Sequence, residues 1–77
     1  MELIESRHWE RKRVKRKNIT NEFIVYAIQN SNEMRDKYWE DALNAISRIP
    51  PSGRLLKVVY KRISKDKVKI ITAFWLD

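Results

Sequence analysis

The residues of this chain that could do chemistry lie in two basic stretches. The first contains the only histidine, His8, and seven of the eleven residues from Arg7 to Lys17 are Lys or Arg. The second holds Lys57, Lys61 and Arg62. Such side chains can deprotonate a 2′-hydroxyl, stabilise a phosphorane and protonate a leaving oxygen without a metal. These residue types are therefore compatible with metal-independent cleavage of RNA.

The same residues also have structural interpretations. A lone histidine beside a tryptophan on a helix is typical of a hydrogen-bonding structural residue, and no partner carboxylate is assignable to His8 from sequence. Successive helix residues such as Arg11, Lys12 and Arg13 point about 100° apart, so part of the basic run faces away from any one surface. The run is either a solvated helix face or a surface that binds a polyanion.

The net charge of +7 is concentrated in one segment. Residues 7–17 carry seven positive charges and one negative charge, which is +6, and the remaining ten Lys/Arg and nine Asp/Glu give +1. A local basic segment favours RNA, DNA or an acidic protein as partner. With no cysteine, one histidine and no P-loop or HExxH motif, the chain predicts no metal site and no cofactor.

Length and hydropathy predict one domain, 1–77, in the cytoplasm. Small domains of this size are near the lower limit for a self-supporting core. No run approaches the roughly 18 apolar residues of a membrane span. The acidic start, MELIES, lacks the basic-then-apolar order of a signal peptide.

Two helices are predicted before the strands. Residues 3–17 are rich in helix formers, and Asn18 could end that helix in a left-handed conformation. A second helix, 20–29, would begin at Thr20 as N-cap, with Ile19 and Ile24 spaced as a hydrophobic staple. Its buried face would hold Phe23, Ile24, Ala27 and Ile28.

The second half of the chain is predicted to consist mainly of strands. Residues 31–49 are compatible with a helix, or with a short strand, a turn at WEDA and a strand from Leu43 to Ile49. Residues 50–54 form a turn, and two β-rich stretches, 55–63 and 68–76, form an antiparallel hairpin. Alternation puts Tyr60 on the core face of the first stretch. In the second it puts Val68, Ile70, Thr72, Phe74 and Leu76 opposite Lys69, Ile71, Ala73 and Trp75.

The segments RHWERKR, KNIT, FIVYAIQN, GRLLKVVYKR and KIITAFW resemble a family of small uncharacterised proteins in the RelE/ParE toxin-like superfamily, near the BrnT-type toxins. The resemblance covers most of the chain, although Asn18 stands where the family usually has Gly. It implies an α+β fold in which two N-terminal helices pack on a small antiparallel β-sheet, and it favours a strand at 43–49.

The resemblance also implies a function, because several members of the superfamily cleave mRNA on the ribosome and others act on gyrase. It implies an RNA partner, an acidic antitoxin, and catalytic roles for His8, Lys57 and Arg62. The expected nucleic-acid-binding residues are Arg7, Arg11, Lys12, Arg13, Lys15, Arg16 and Lys61. Two alternatives stay open: a non-enzymatic module of the same fold that binds nucleic acid or protein, and a structural protein that forms a homodimer through an apolar patch at Trp39 or Trp75.

Overall fold

The computed structural model describes all of residues 1–77 and contains a mixed sheet of five strands with two short helices. The elements, in chain order, are strand β1 (Glu2–Glu5), helices α1 (Arg7–Arg13) and α2 (Asn21–Gln29), and strands β2 (Met34–Arg35), β3 (Leu43–Ile49), β4 (Arg54–Ser64) and β5 (Lys67–Trp75). The order across the sheet is β1-β5-β4-β3-β2. Neither helix is long and apolar enough to cross a membrane.

The expected architecture, two N-terminal helices packed on a small antiparallel sheet, is wrong. The chain begins with a strand, strands make up 43% of it and helices 21%, and β1 runs parallel to β5. Leu3 and Ile4, which the sequence predicts to be helical, pair instead with Val68 and Lys69 of β5. Helix propensity is a weak preference, and the backbone hydrogen bonds that the edge of β5 offers override it.

Helix α1 is shorter than the predicted helix 3–17 because it is capped at Ser6. The Ser6 hydroxyl accepts a backbone N–H of the first turn and donates to the carbonyl oxygen of Ile71 in β5. After its seven residues the chain continues in turns. The predicted helix end at Asn18 is also wrong, since Asp41 is the only non-glycine residue with a positive φ.

The elements predicted for the middle and the end of the chain are confirmed. Helix α2 begins after Thr20, whose Oγ1 accepts the N–H of Phe23, and it buries Ile24, Ala27 and Ile28. The strand interpretation of residues 31–49 is confirmed by β2 and β3, and the antiparallel hairpin by β4 and β5. These elements were predictable because their caps and turns are encoded locally.

The main core lies on one face of the sheet. It combines Trp9 of α1 and three residues of α2 with strand residues that include Leu56, Val58 and Tyr60 of β4. The predicted burial of Tyr60 is therefore confirmed. Ala42, Val59 and Ile71 form a second, smaller cluster, which places Val59 on the face opposite Val58 and Tyr60.

A β-bulge in β5 changes which of its residues face the core. Val59 pairs with Thr72, but Tyr60 pairs with Ile70, so Ile71 is an extra residue in β5. The strict alternation predicted for 68–76 is therefore wrong: Ile70 and Ala73 both belong to the main core, whereas Phe74 does not. The bulge moves Thr72 and Phe74 to the face opposite the main core.

Candidate nucleic-acid interface

We call the sheet face opposite the main core the Lys57 face. It is defined by two rows of cross-strand partners, Asn44, Val59 and Thr72 in one row, and Ile46, Lys57 and Phe74 in the other. Asn44, Val59 and Thr72 are buried, while Lys57 and Phe74 are half-buried. The face therefore carries one buried row, in which Asn44 and Thr72 flank Val59, beside a row that reaches solvent.

Lys57 is the centre of this face. Its Nζ lies 3.3 Å from Oδ1 of Asp36, and 16% of its side chain is exposed. The same Nζ lies 5.9 Å from the ring centroid of Tyr38 and 5.8 Å from that of Phe74. A cation at this distance from two rings gains from the ring quadrupoles as well as from its ion pair.

Asp36 holds the loop between β2 and β3 against the Lys57 face. Its side chain is fully shielded from solvent, and its carboxylate accepts hydrogen bonds from the N–H groups of Tyr38 and Trp39 and from Nδ2 of Asn44. Burial raises the pKa of Asp36, but the hydrogen bonds from Asn44, Trp39, Tyr38 and Lys57 together hold it below its ordinary value. The carboxylate is therefore ionised and fully partnered.

Arg16 lies on the other side of Phe74. Its Nη1 donates to Oγ1 of Thr72 at 3.3 Å and to the carbonyl oxygen of Ala73 at 3.1 Å. The Ala73 carbonyl lies beyond residues 67–70, the only part of β5 that pairs with β1. The guanidinium carbon lies 6.0 Å from the Phe74 ring centroid, and Arg16 has no acidic partner. Thr72 is thus a buried residue whose hydroxyl oxygen accepts a hydrogen bond.

The other candidate nucleic-acid-binding residues of the basic run are on the surface. Arg7, Arg11, Lys12, Arg13 and Lys15 are all exposed. Among them only Arg13 forms an ion pair, with Glu5 of β1. The other four are free to contact a polyanion, and none of them is used to hold the fold together.

The three candidate catalytic residues do not converge. Lys57 is on the Lys57 face, whereas Arg62 follows Tyr60 on the core side and pairs with Glu33. His8 is half-buried in α1, with its ring 5.2 Å from that of Trp39 in an edge-on arrangement. His8 and Lys57 both approach the loop between β2 and β3, at Trp39 and Asp36, and Arg62 lines a pocket at the end of the sheet that the same loop borders.

Glu33 links Arg62 to the core. Tyr60 donates its phenolic O–H to Oε1 of Glu33 at 2.8 Å, and Nε of Arg62 contacts the same oxygen. Burial, with the neighbouring Glu33 carboxylate, raises the pKa of Tyr60 far above its ordinary value. This arrangement buries a phenol with a satisfied hydrogen bond, which is a structural role.

Lys61 lies at the end of the sheet near a pocket of about 780 Å³. Four cations line that pocket, Arg35, Lys37, Lys61 and Arg62, together with three acids, Asp36, Glu40 and Asp41. The mixed charges do not favour an anion strongly. No group of three or more His, Asp or Glu side chains is placed to hold a metal ion.

The sequence did not single out Asp36, Tyr38 or Phe74 as site residues. The bulge places Phe74 on the face opposite to the one that the alternation of the sequence predicts. Asp36 and Tyr38 lie in residues 31–49, for which the sequence is compatible with either a helix or strands. The one signal available was the turn at WEDA, which ends a loop rich in aromatic and charged residues.

Comparisons of the chain with protein-family models, with curated proteins and with solved structures give no match.

Proposed function

We propose that the protein binds RNA through α1 and the Lys57 face. One observation supports this most directly. Two cations, Arg16 and Lys57, lie near the aromatic ring of Phe74, on the sheet face opposite the main core. Aromatic rings interleaved with cations on a sheet bind nucleic acids by stacking and by phosphate contacts.

The charge distribution supports the same proposal. Residues 7–17 carry +6 of the net charge of +7, and the exposed cations of α1 are mostly without ion pairs. Unpaired surface cations release counterions from a phosphate backbone when they bind it, which is the main source of sequence-independent affinity. RNA in the cytoplasm is the partner we propose, with α1 supplying charge and the Lys57 face supplying contacts to single nucleotides.

The proposal is tested by reversing charge on α1 and in the turn that follows it, in what we call the α1 variant. Arg11, Lys12 and Lys15 are exposed and unpaired, so changing all three to Glu leaves every hydrogen bond and ion pair of the fold in place. We expect this variant to lose RNA binding at low salt, measured by fluorescence anisotropy with a labelled single-stranded RNA. Reversal of Arg35, Arg48 and Lys65, which are exposed elsewhere, changes the net charge equally and serves as control; of these three, only Arg48 forms a side-chain hydrogen bond, to the Gly53 carbonyl oxygen in an exposed turn.

The dependence of affinity on salt separates the outcomes. Each phosphate contact that is lost lowers the slope of log K against log salt by roughly 0.7 for a single strand. The α1 variant should therefore show a flatter slope than the control variant. Equal affinity and equal slope for the two variants would refute a specific role of α1.

Metal-independent cleavage of mRNA, as by a toxin with an acidic antitoxin, is a second candidate. It is favoured by one observation, the approach of His8 and Lys57 to the same loop through Trp39 and Asp36. An imidazole can transfer protons and an ammonium can stabilise a phosphorane. We expect induced expression to arrest growth and fragment mRNA, and His8→Asn to relieve both; intact mRNA in arrested or growing cells would refute cleavage.

A further inference from the structure

Two residues of the Lys57 face, Lys57 and Phe74, lie close to two side chains from other segments, Arg16 and Tyr38. Phe74 and Lys57 are direct cross-strand partners, so their side chains stand beside each other on the sheet. The Nζ of Lys57 lies within 6 Å of both the Phe74 and the Tyr38 ring centroids, and the Arg16 guanidinium lies 6.0 Å from that of Phe74. Two rings and two cations therefore share one small region of the surface.

The two rings are not explained by the packing of the protein. Tyr38 is 85% exposed, and its hydroxyl forms no hydrogen bond within the chain. Phe74 is part of neither hydrophobic cluster, although it is half-buried and its strand contributes residues to both. Aromatic side chains left on a charged surface are typical of a binding site.

The two cations retain capacity to bind an anion. Arg16 uses only Nη1 in contacts with the protein, so the rest of its five N–H donors stay available. Lys57 has three donors, of which the structure uses one on Asp36. Since both are anchored, by the edge of β5 and by Asp36, little side-chain entropy would be lost when they bind a phosphate.

We propose that Arg16, Tyr38, Lys57 and Phe74 form a slot for one unpaired nucleotide of an RNA strand. The base stacks on the Phe74 and Tyr38 rings, and the adjoining phosphates contact Arg16 and Lys57. The slot rests on the proposed RNA binding and adds to it a preference for single strands. Bases in a duplex are stacked on each other and offer no free face to these rings, so a duplex meets only the cations.

The experiment compares one strand with and without its bases. Binding of a short single-stranded RNA, of the same RNA with abasic sites, and of its duplex is measured by fluorescence anisotropy. Wild-type protein should bind the single strand about tenfold more tightly than the abasic strand, the effect of roughly one base stack. Phe74→Leu and Tyr38→Leu should each remove most of this difference and leave the affinity for the duplex unchanged.

Tyr26→Leu is the matched control, because Tyr26 is an exposed aromatic residue on α2, away from the Lys57 face. Tyr38→Leu changes an exposed ring, so it tests the slot even if Phe74→Leu impairs folding. Wild-type protein that binds RNA with no preference for bases, or aromatic variants that bind like Tyr26→Leu, would overturn the slot alone. Wild-type protein that binds no RNA at all would overturn the proposed function together with the slot.

Discussion

Replacement of Asp36 by Ala tests whether one buried carboxylate organises the loop over the Lys57 face. The carboxylate accepts three hydrogen bonds, from two backbone N–H groups of its own loop and from Asn44, and it pairs with Lys57. In Asp36→Ala the two N–H groups and the Asn44 amide lose their acceptor, and Lys57 loses its counter-charge. The loop that carries Tyr38 and Trp39 then keeps only its backbone contacts and the contacts of its two rings with Lys57 and His8.

The size of the effect follows from these contacts. A hydrogen bond contributes about 1 kcal/mol net, so the three that are lost amount to about 3 kcal/mol. Lys57 adds little to this cost, because its partly exposed ammonium can turn to water. A loss of about 3 kcal/mol is a large part of the roughly 5–15 kcal/mol by which small domains are stable.

The measurement is urea unfolding followed by tryptophan fluorescence, with Glu40→Ala as control. Glu40 lies on the same loop, is exposed and forms no ion pair or side-chain hydrogen bond, so its replacement should leave the free energy of unfolding almost unchanged. Equal free energies of unfolding for Asp36→Ala and Glu40→Ala would refute the role of Asp36.

The pH dependence of the free energy of unfolding provides a second check on the role of Asp36. The pKa of Asp36 is lower in the folded state than its ordinary value of 3.8, so its ionised form stabilises the fold above that pH. This contribution is lost as the pH falls below 3.8 and through the folded-state pKa. The difference in free energy of unfolding between wild type and Asp36→Asn should therefore narrow on acidification; a constant difference would contradict ionisation of Asp36.

The remaining predictions concern Tyr60 and Gly53. Tyr60→Phe removes the hydrogen bond to Glu33 and should cost about 1 kcal/mol in urea unfolding. Because the pKa of Tyr60 is raised in the folded state, wild type should lose stability above pH 10.0, where the unfolded phenol ionises, more steeply than Tyr60→Phe; parallel pH profiles would contradict this. Gly53→Ala should lower the free energy of unfolding by about 1 kcal/mol, because Gly53 has φ +76°, a conformation that disfavours alanine. The Cβ of the alanine would meet no neighbour, so the cost comes from the backbone conformation alone. A calorimetric midpoint equal to that of wild type would show that the turn adopts another conformation.

Local signals in the sequence were sufficient for about half of the fold. Helix α2 was predictable because Thr20 supplies an acceptor for the first turn and because Ile24, Ala27 and Ile28 recur at helical spacing. The β4–β5 hairpin was predictable from two β-rich stretches joined by a short polar turn. In each case the residues that determine the element are adjacent in the chain.

The prediction failed at the N-terminus because the deciding contacts are distant in sequence. Nothing in residues 2–5 distinguishes a helix from a strand that pairs with residues 67–70. Ser6 shows the same limit, since one of its hydroxyl contacts is a cap within its own turn and the other is the carbonyl of Ile71. Propensity describes a segment alone, whereas strand pairing depends on which edge is free.

The sequence alone determined the charge of this protein and its concentration in residues 7–17, because charge is a property of composition. It also determined α2 and the hairpin, through local caps and turns. The tertiary structure decided which side chains meet. One extra residue, Ile71, turns Thr72 and Phe74 to the Lys57 face, and the loop from β2 to β3 brings Asp36 and Tyr38 to Lys57. The alternation of residues along a strand does not show where a bulge lies, and it does not show which side chains meet across strands.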